Sequence, residues 1–222
     1  MERIILGGAN MADDSEWTTD EEPLEMTPPA PETRPESALL ILGRFQPFHF
    51  GHAAMIDAAI SAAPAEQLPL RICIGSSNRP DSMRNPWTWQ ERGEMVDAWM
   101  QAEHPDQQYS VVAIPDLGDP ENWVAHAEQW HGAAGHLFTT DEVTASLYEQ
   151  AGWPVTLAAL DNRESWVGWR IRATMQMVST VEDEAATHVL SVTIPQSVLH
   201  LLVENGWLRR IAFLGTGGEP VG

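Results

Sequence analysis

From residue 38 to about residue 160, short apolar runs alternate with amphipathic stretches, and this alternation restricts the chain to parallel strands joined by crossover helices. The runs fall at 38–42, 70–75, 110–114, 136–139 and 155–160. All are short enough to be strands, and most are nearly continuous in apolar residues, as strands covered on both faces are. Between them the pattern predicts helices at about 51–62, 88–102, 120–130 and 141–151, and Thr88 followed by Glu91 has the spacing of a capping box. Two further helical stretches, about 168–178 and 195–205, are expected to close the chain. The expected architecture is therefore α/β: a doubly wound five-stranded parallel sheet with a small helical C-terminal portion, occupying residues 38–214.

The segments outside this range have a different character. Residues 1–37 carry ten acidic and two basic side chains and end in a Pro-rich run, Thr27-Pro28-Pro29-Ala30-Pro31, with little apolar periodicity. That composition predicts a disordered acidic tail that the fold does not need. Residues 215–222 read as a flexible C-terminus.

Charge narrows the function classes. A net charge of −20 over 222 residues argues against nucleic acid and against anionic membranes, both of which call for clustered cations. All 12 basic residues are Arg and Lys is absent, so an anion site must be built from guanidinium groups, backbone N–H groups and histidines. Arg44, Arg79, Arg84, Arg92, Arg163, Arg170 and Arg172 fall in three short segments of an otherwise acidic chain. The single cysteine, Cys73, lies in an apolar run and reads as a buried strand residue. No stretch reaches the roughly 20 apolar residues of a membrane span, and no signal-peptide core is evident. A soluble, cytoplasmic protein is the expectation.

The segment richest in chemistry is Gly43-Arg44-Phe45-Gln46-Pro47-Phe48-His49-Phe50-Gly51-His52, directly after the first strand and opening the first helix. Ligands of open parallel sheets bind beyond the carboxyl ends of the strands. There the helix start offers unpaired N–H donors, Gly51 permits close approach, and His49 and His52 face one way. With Arg44 they form a candidate polyphosphate cradle. The competing reading is two unrelated histidines in a surface turn.

The whole decapeptide resembles the signature of the archaeal-type nicotinamide-mononucleotide adenylyltransferases, within the His-x-Gly-His nucleotidyltransferase superfamily, although Phe50 stands where that family usually has a basic residue. The resemblance extends in register over about 38–214. Ile74-Gly75-Ser76-Ser77 and Met83-Arg84-Asn85-Pro86-Trp87-Thr88-Trp89-Gln90-Glu91-Arg92 are similar to the family's Gly-Ser turn and Arg-Asn-Pro block. Pro115-Asp116-Leu117-Gly118-Asp119-Pro120-Glu121-Asn122-Trp123-Val124 is similar to its acceptor-binding loop, and Asn162-Arg163-Glu164-Ser165-Trp166-Val167-Gly168-Trp169-Arg170-Ile171-Arg172 to its second signature. In that last block the family's Tyr, Ser, Thr and Glu are replaced by Trp166, Val167, Trp169 and Arg170.

The resemblance implies a Rossmann-like nucleotidyltransferase that moves AMP from ATP to nicotinamide mononucleotide or its nicotinate analogue. It implies catalytic roles for His49, His52, Arg44, Arg84 and Arg172, and ATP contacts from Gly43, Phe45, Gly51, Ser76, Arg163 and Gly168. Asp116 and Trp123 would line the acceptor pocket. Mg²⁺ would arrive with ATP, no metal site being implied in the protein, and the chain would be a homo-oligomer. Some readings stay double: Trp123 stacks on a pyridine ring or packs in the core, Arg92 binds ligand or supports the fold, and Arg170 compensates a lost group or is merely solvated. Other acceptor phosphates, a nucleotide sensor without turnover, and a class I tRNA synthetase fragment are the rival functions. His126, His131 and His136, spaced by five, do not suit a helical zinc site, and Met95, Met100, Met175 and Met177 read as packing residues.

Overall fold

The computed structural model describes residues 25–62, 68–79, 81–159 and 166–215. Five strands, β1 (Leu39–Gly43), β2 (Leu70–Ile74), β3 (Tyr109–Ala113), β4 (His136–Thr139) and β5 (Val155–Leu157), form one parallel sheet in the order β3-β2-β1-β4-β5. The order reverses between β1 and β4, so the segment leaving β1 opens into the crevice where such sheets bind ligands.

Both faces of the sheet are covered. Ile41, Ile72 and Ile74 point into the larger core, packed by α1 (Phe50–Ala62), α2 (Trp89–Glu103) and the C-terminal helices. Leu40, Cys73 and Leu137 point into the smaller one, beneath α3 (Trp123–His131) and α4 (Glu142–Gln150). The period-two alternation of a strand thus divides one apolar run between two cores. The capping box forms as read: Thr88 Oγ1 accepts the Glu91 N–H at 3.3 Å, and Glu91 Oε2 accepts the Thr88 N–H at 2.9 Å. The Asp141 carboxylate caps α4 through the Thr144 N–H at 2.7 Å.

Beyond the sheet the chain is more helical than expected. Besides α5 (Gly168–Val178) and α7 (Gln196–Glu204), it forms α6 (Asp183–Leu190) and the short α8 (Trp207–Arg210). The start of α6 is acidic and only Ala186 and Leu190 are buried, too few positions to show a period. Met177 corrects the packing expectation for its group. Met95, Met100 and Met175 are buried, whereas Met177 on α5 is 79% exposed.

The described part of the expected tail also differs from a free segment. Residues 25–37 run along α3 as a surface strap. Ser77 Oγ donates to Thr27 O at 2.6 Å, Trp130 Nε1 to Pro28 O at 3.1 Å, Arg71 Nη1 to Glu36 O at 2.8 Å and Ser37 Oγ to Ala133 O at 3.1 Å. Arg34 pairs with Glu128. A Cβ on Gly132 would lie 2.4 Å from Pro35 O, so this glycine, at φ +85°, is what lets the strap close on the turn. Prolines lower the entropy lost on ordering, and backbone carbonyls supply the acceptors, so apolar periodicity was not required. Residues 1–24 lie outside the described residues.

Five lost hydrogen bonds or ion pairs, each contributing about 0.5–1.5 kcal/mol, outweigh the small apolar area of the strap. Deleting residues 1–37 is expected to lower Tm by at least roughly 5 °C, since about 2–4 °C is lost per kcal/mol at this size. A calorimetric scan showing an unchanged Tm would mean that the strap contributes no stability.

Candidate functional site

Two loops leave the adjacent strand ends of β1 and β2, and one buried side chain joins them. Arg92, inside α2 and 1% exposed, donates from Nη1 to Arg44 O and Gly75 O, both at 2.7 Å, and from Nη2 to Ser76 O at 3.1 Å. Its Nε donates to Thr88 O at 3.2 Å. Burial and the neighbouring Arg44 lower its pKa to about 10, which leaves it charged at neutral pH. The backbone it holds is unusual: Phe45 and Ser76 have φ of +53° and +54°, conformations that non-glycine residues seldom adopt. Of the two readings for Arg92, the structure supports the second. It is a scaffold for the loops, and its donors are spent on carbonyls.

The decapeptide then turns into α1. His49 Nδ1 accepts the Gly51 N–H at 3.1 Å, and His52 Nδ1 accepts the His49 N–H at 3.3 Å. A neutral imidazole that accepts at Nδ1 carries its proton on Nε2, so both rings are set as Nε2–H donors. The rings stack with centroids 3.8 Å apart, and Phe45 and Phe48 flank His52 at 4.5 and 5.7 Å. Burial, then the Arg172 charge, lowers the His49 pKa to about 3. Burial, His49 and Arg44 lower that of His52. Gly51 is needed here, because a Cβ would lie 2.9 Å from the His49 ring and 3.1 Å from Trp166 Cβ.

The start of α5 closes the site from above. A Cβ on Gly168 would lie 3.3 Å from Arg172 Nη1 and 4.0 Å from His49 Nε2, so the first turn of α5 faces the histidine pair. Val167, at the N-cap, supplies no side-chain hydrogen bond to that turn. Arg172 is buried and donates from Nη1 to Gln46 O at 2.7 Å. Gln46 in turn bridges to Trp87 through its amide, donating to Trp87 O at 3.0 Å and accepting the Trp87 N–H at 3.2 Å.

A second region lies beyond β2 and β3. Asp116, Gly118, Asp119, Trp123 and Leu147 line an open pocket of about 240 Å³. Asp116 is held on several sides. Asn78 exchanges hydrogen bonds with its backbone N–H and C=O at 2.7 and 3.1 Å, Ser76 Oγ donates to Oδ1 at 3.1 Å, and Arg79 Nε donates to Oδ2 at 2.7 Å. Trp123 is half-buried: its ring lines this pocket and also packs at the edge of the smaller core. The packing reading of Trp123 therefore holds, and its ring is also open to the pocket.

The structure thus brings Gly43, Arg44, His49, Gly51, His52, Gly168 and Arg172 together around the start of α1, joins Ser76 to them through Arg92, and places Asp116 and Trp123 in one pocket. The Phe45 ring is buried in the core, so any ligand contact falls to its backbone. Arg84 is exposed, and no hydrogen bond or ion pair among the described residues joins it to the cluster. Arg163 lies outside the described residues. Gln46, Asn78 and Arg79 went unread as site residues, although the Ser-Ser-Asn-Arg run after a strand end was the available signal. His126, His131 and His136 each serve a separate partner: Pro115 O at 2.8 Å, the Tyr148 hydroxyl at 2.7 Å and Thr156 Oγ1 at 2.8 Å.

A family model described as cytidylyltransferase-like matches residues 40–132. The nicotinamide-nucleotide adenylyltransferase of Methanocorpusculum labreanum is 31% identical over 154 residues, which cover 69% of this chain and 88% of that protein. Its namesake in Thermoplasma acidophilum is 27% identical over 190 residues, 86% of this chain and 98% of the relative. Among solved structures, a bifunctional NMN adenylyltransferase/ADP ribose pyrophosphatase from Francisella tularensis shares the fold, with a TM-score of 0.52 at 17% identity. The match covers 77% of this chain and 54% of that one, so this chain spans about half its length.

The histidines set a pH dependence. His49, with a pKa of about 3, and His131, lowered to about 4 mainly by burial, stay neutral in the fold where the unfolded chain protonates near 6.5. The unfolded state then binds more protons, so their stabilisation is complete above about pH 6.5 and declines as pH falls toward those values, by up to roughly 1.4 kcal/mol per pH unit for each histidine. Urea midpoints between pH 7 and pH 4 should fall less steeply for His49→Gln than for the native protein, and equal slopes would show that His49 titrates normally. At the cap of α5, Val167→Ser is expected to add about 0.5–2 kcal/mol, read from the same midpoints at pH 7.

Proposed function

Because this chain belongs to the nicotinamide-nucleotide adenylyltransferase family, we propose that it transfers the adenylyl group of ATP to nicotinamide mononucleotide, giving NAD and pyrophosphate. The observation that carries this reading is the stacked His49–His52 pair, neutral and set as Nε2–H donors, between the start of α1 and the start of α5.

The chemistry needs no protein nucleophile. An oxygen of the acceptor's 5′-phosphate forms a bond to the α-phosphorus of ATP, the bond from that phosphorus to the bridging oxygen breaks, and pyrophosphate leaves with the electron pair. Negative charge grows on the equatorial and leaving oxygens, and the protein's task is to place the reactants and stabilise that charge. Neutral imidazole N–H groups suit this task, since they donate hydrogen bonds without a proton transfer. The N–H groups of the first turns of α1 and α5 add two fields of the same sign. The Arg172 charge that disfavours a protonated His49 favours a polyphosphate in the same place.

Arg44 and Arg84, on the loops leaving β1 and β2, are assigned to the phosphates, Arg84 by reaching inward from its exposed position. Asp116 and Trp123 are assigned to the pyridine nucleotide, whose cationic ring suits an indole face and a nearby carboxylate. Mg²⁺ would enter bound to ATP, carried by the substrate. Among the described residues no group of three or more His, Cys, Asp or Glu side chains is arranged to hold a metal. No helix among the described residues is long and apolar enough to cross a membrane. A cytoplasmic setting and a homo-oligomer belong to the same proposal, by resemblance to the family.

His52→Ala is expected to lower kcat at least about 100-fold, because a preorganised donor aimed at transition-state charge contributes about 2.7–4 kcal/mol. Coupled pyrophosphate release with nicotinamide mononucleotide, run beside a melting curve, measures it. A folded variant with near-native turnover would remove His52 from the mechanism, and a native protein that releases no pyrophosphate with this acceptor would refute the activity.

A further inference from the structure

One end of the strap of residues 25–37 bonds to two elements that support the pocket of Asp116 and Trp123, without lining that pocket itself. One contact reaches the loop after β2. Thr27 O accepts from Ser77 Oγ at 2.6 Å, and the Ser77 N–H donates to Ile114 O at 3.1 Å. The residues flanking Ser77 are those that fasten Asp116: Ser76 through its hydroxyl, Asn78 through both amide atoms and Arg79 through its guanidinium. The other contact reaches α3. Pro28 O accepts from Trp130 Nε1 at 3.1 Å, the Trp130 ring lies 4.5 Å from His126, and His126 lies 5.8 Å from Trp123. His126 is fixed in turn by its hydrogen bond to Pro115 O, the residue before Asp116.

We propose that this N-terminal strap is a positioning element of the acceptor site: Thr27 and Pro28 hold Ser77 and Trp130, and through them set the separation of Asp116 from Trp123. Its role as an acceptor site rests on the function proposed above. The strap hydrogen bonds given above go to Ser77, Trp130, Arg71 and Ala133, outside the histidine cluster. Within that cluster the Arg44 carbonyl is held by Arg92, and Arg172 bonds to Gln46. Most strap residues are exposed, and polar contacts rather than buried side chains secure it, so it can lift without unfolding the domain. The larger effect of losing it therefore falls on the acceptor.

The test uses the full chain with Ser77→Ala and Trp130→Phe combined, which removes both donors to the strap and keeps the indole site filled by a ring. With both hydrogen bonds lost, KM for nicotinamide mononucleotide should rise roughly 5- to 100-fold, with KM for ATP and kcat within about twofold. Parallel shifts in both KM values, or an unchanged acceptor KM, would overturn the proposal. Amide hydrogen exchange supplies a readout that needs no turnover. Peptides covering residues 76–79 and 116–123 should exchange faster in the double variant than in the native protein, while those covering 49–56 should not. Unchanged protection in the first two would overturn the proposal even if the native protein used another acceptor, whereas a native protein inactive with this acceptor but showing the exchange pattern would count against the activity alone.

Discussion

The guanidinium of Arg92 is the interaction on which the site depends. A parallel sheet delivers its strand ends side by side, but the loops that leave them diverge, and their carbonyls need partners. One planar cation, planted in α2 and satisfied by the carbonyls of Arg44, Gly75, Ser76 and Thr88, closes the β1 and β2 loops to a common edge. Phe45 and Ser76, both at positive φ, sit where its hydrogen bonds over-determine the backbone. Lysine, with its compact ammonium, could not meet three divergent carbonyls in one plane.

On that frame the electrostatics are local. A chain of net charge −20 repels polyphosphates at long range, so attraction must come from a few oriented groups at close quarters. In the proposed reading, two helix starts, two imidazole N–H groups and a buried guanidinium would supply it with little exposed positive charge. Keeping both histidines neutral also avoids a pair of stacked cations 3.8 Å apart, which burial beside Phe45 and Phe48 would make costly.

How much of this could be read beforehand differed by kind of signal. Every strand was legible, because apolar runs between turns are a local property, and the Thr88–Glu91 box was legible for the same reason. The His49–His52 motif was legible as spacing next to a strand end. Arg92 was not, since nothing local tells a buried arginine from a solvated one, and three of its four carbonyl partners lie 16 to 48 residues away in sequence. Gln46, whose bridges cross 41 and 126 residues, was hidden likewise. The strap was misread because its order comes from carbonyls meeting distant donors, a property with no period and no composition.

The placement of Cys73 has a consequence for chemical durability. It is the one thiol of the chain, inside β2, with no exposed surface and a pKa pushed up by burial to about 12. Nucleophilic attack by sulfur requires the thiolate, and neither ionisation nor access is available there. An oxidising environment that modifies exposed thiols has no foothold on this fold through sulfur of that kind. Its capacity to supply a redox carrier would then be uncoupled from the redox state that the carrier itself helps to set.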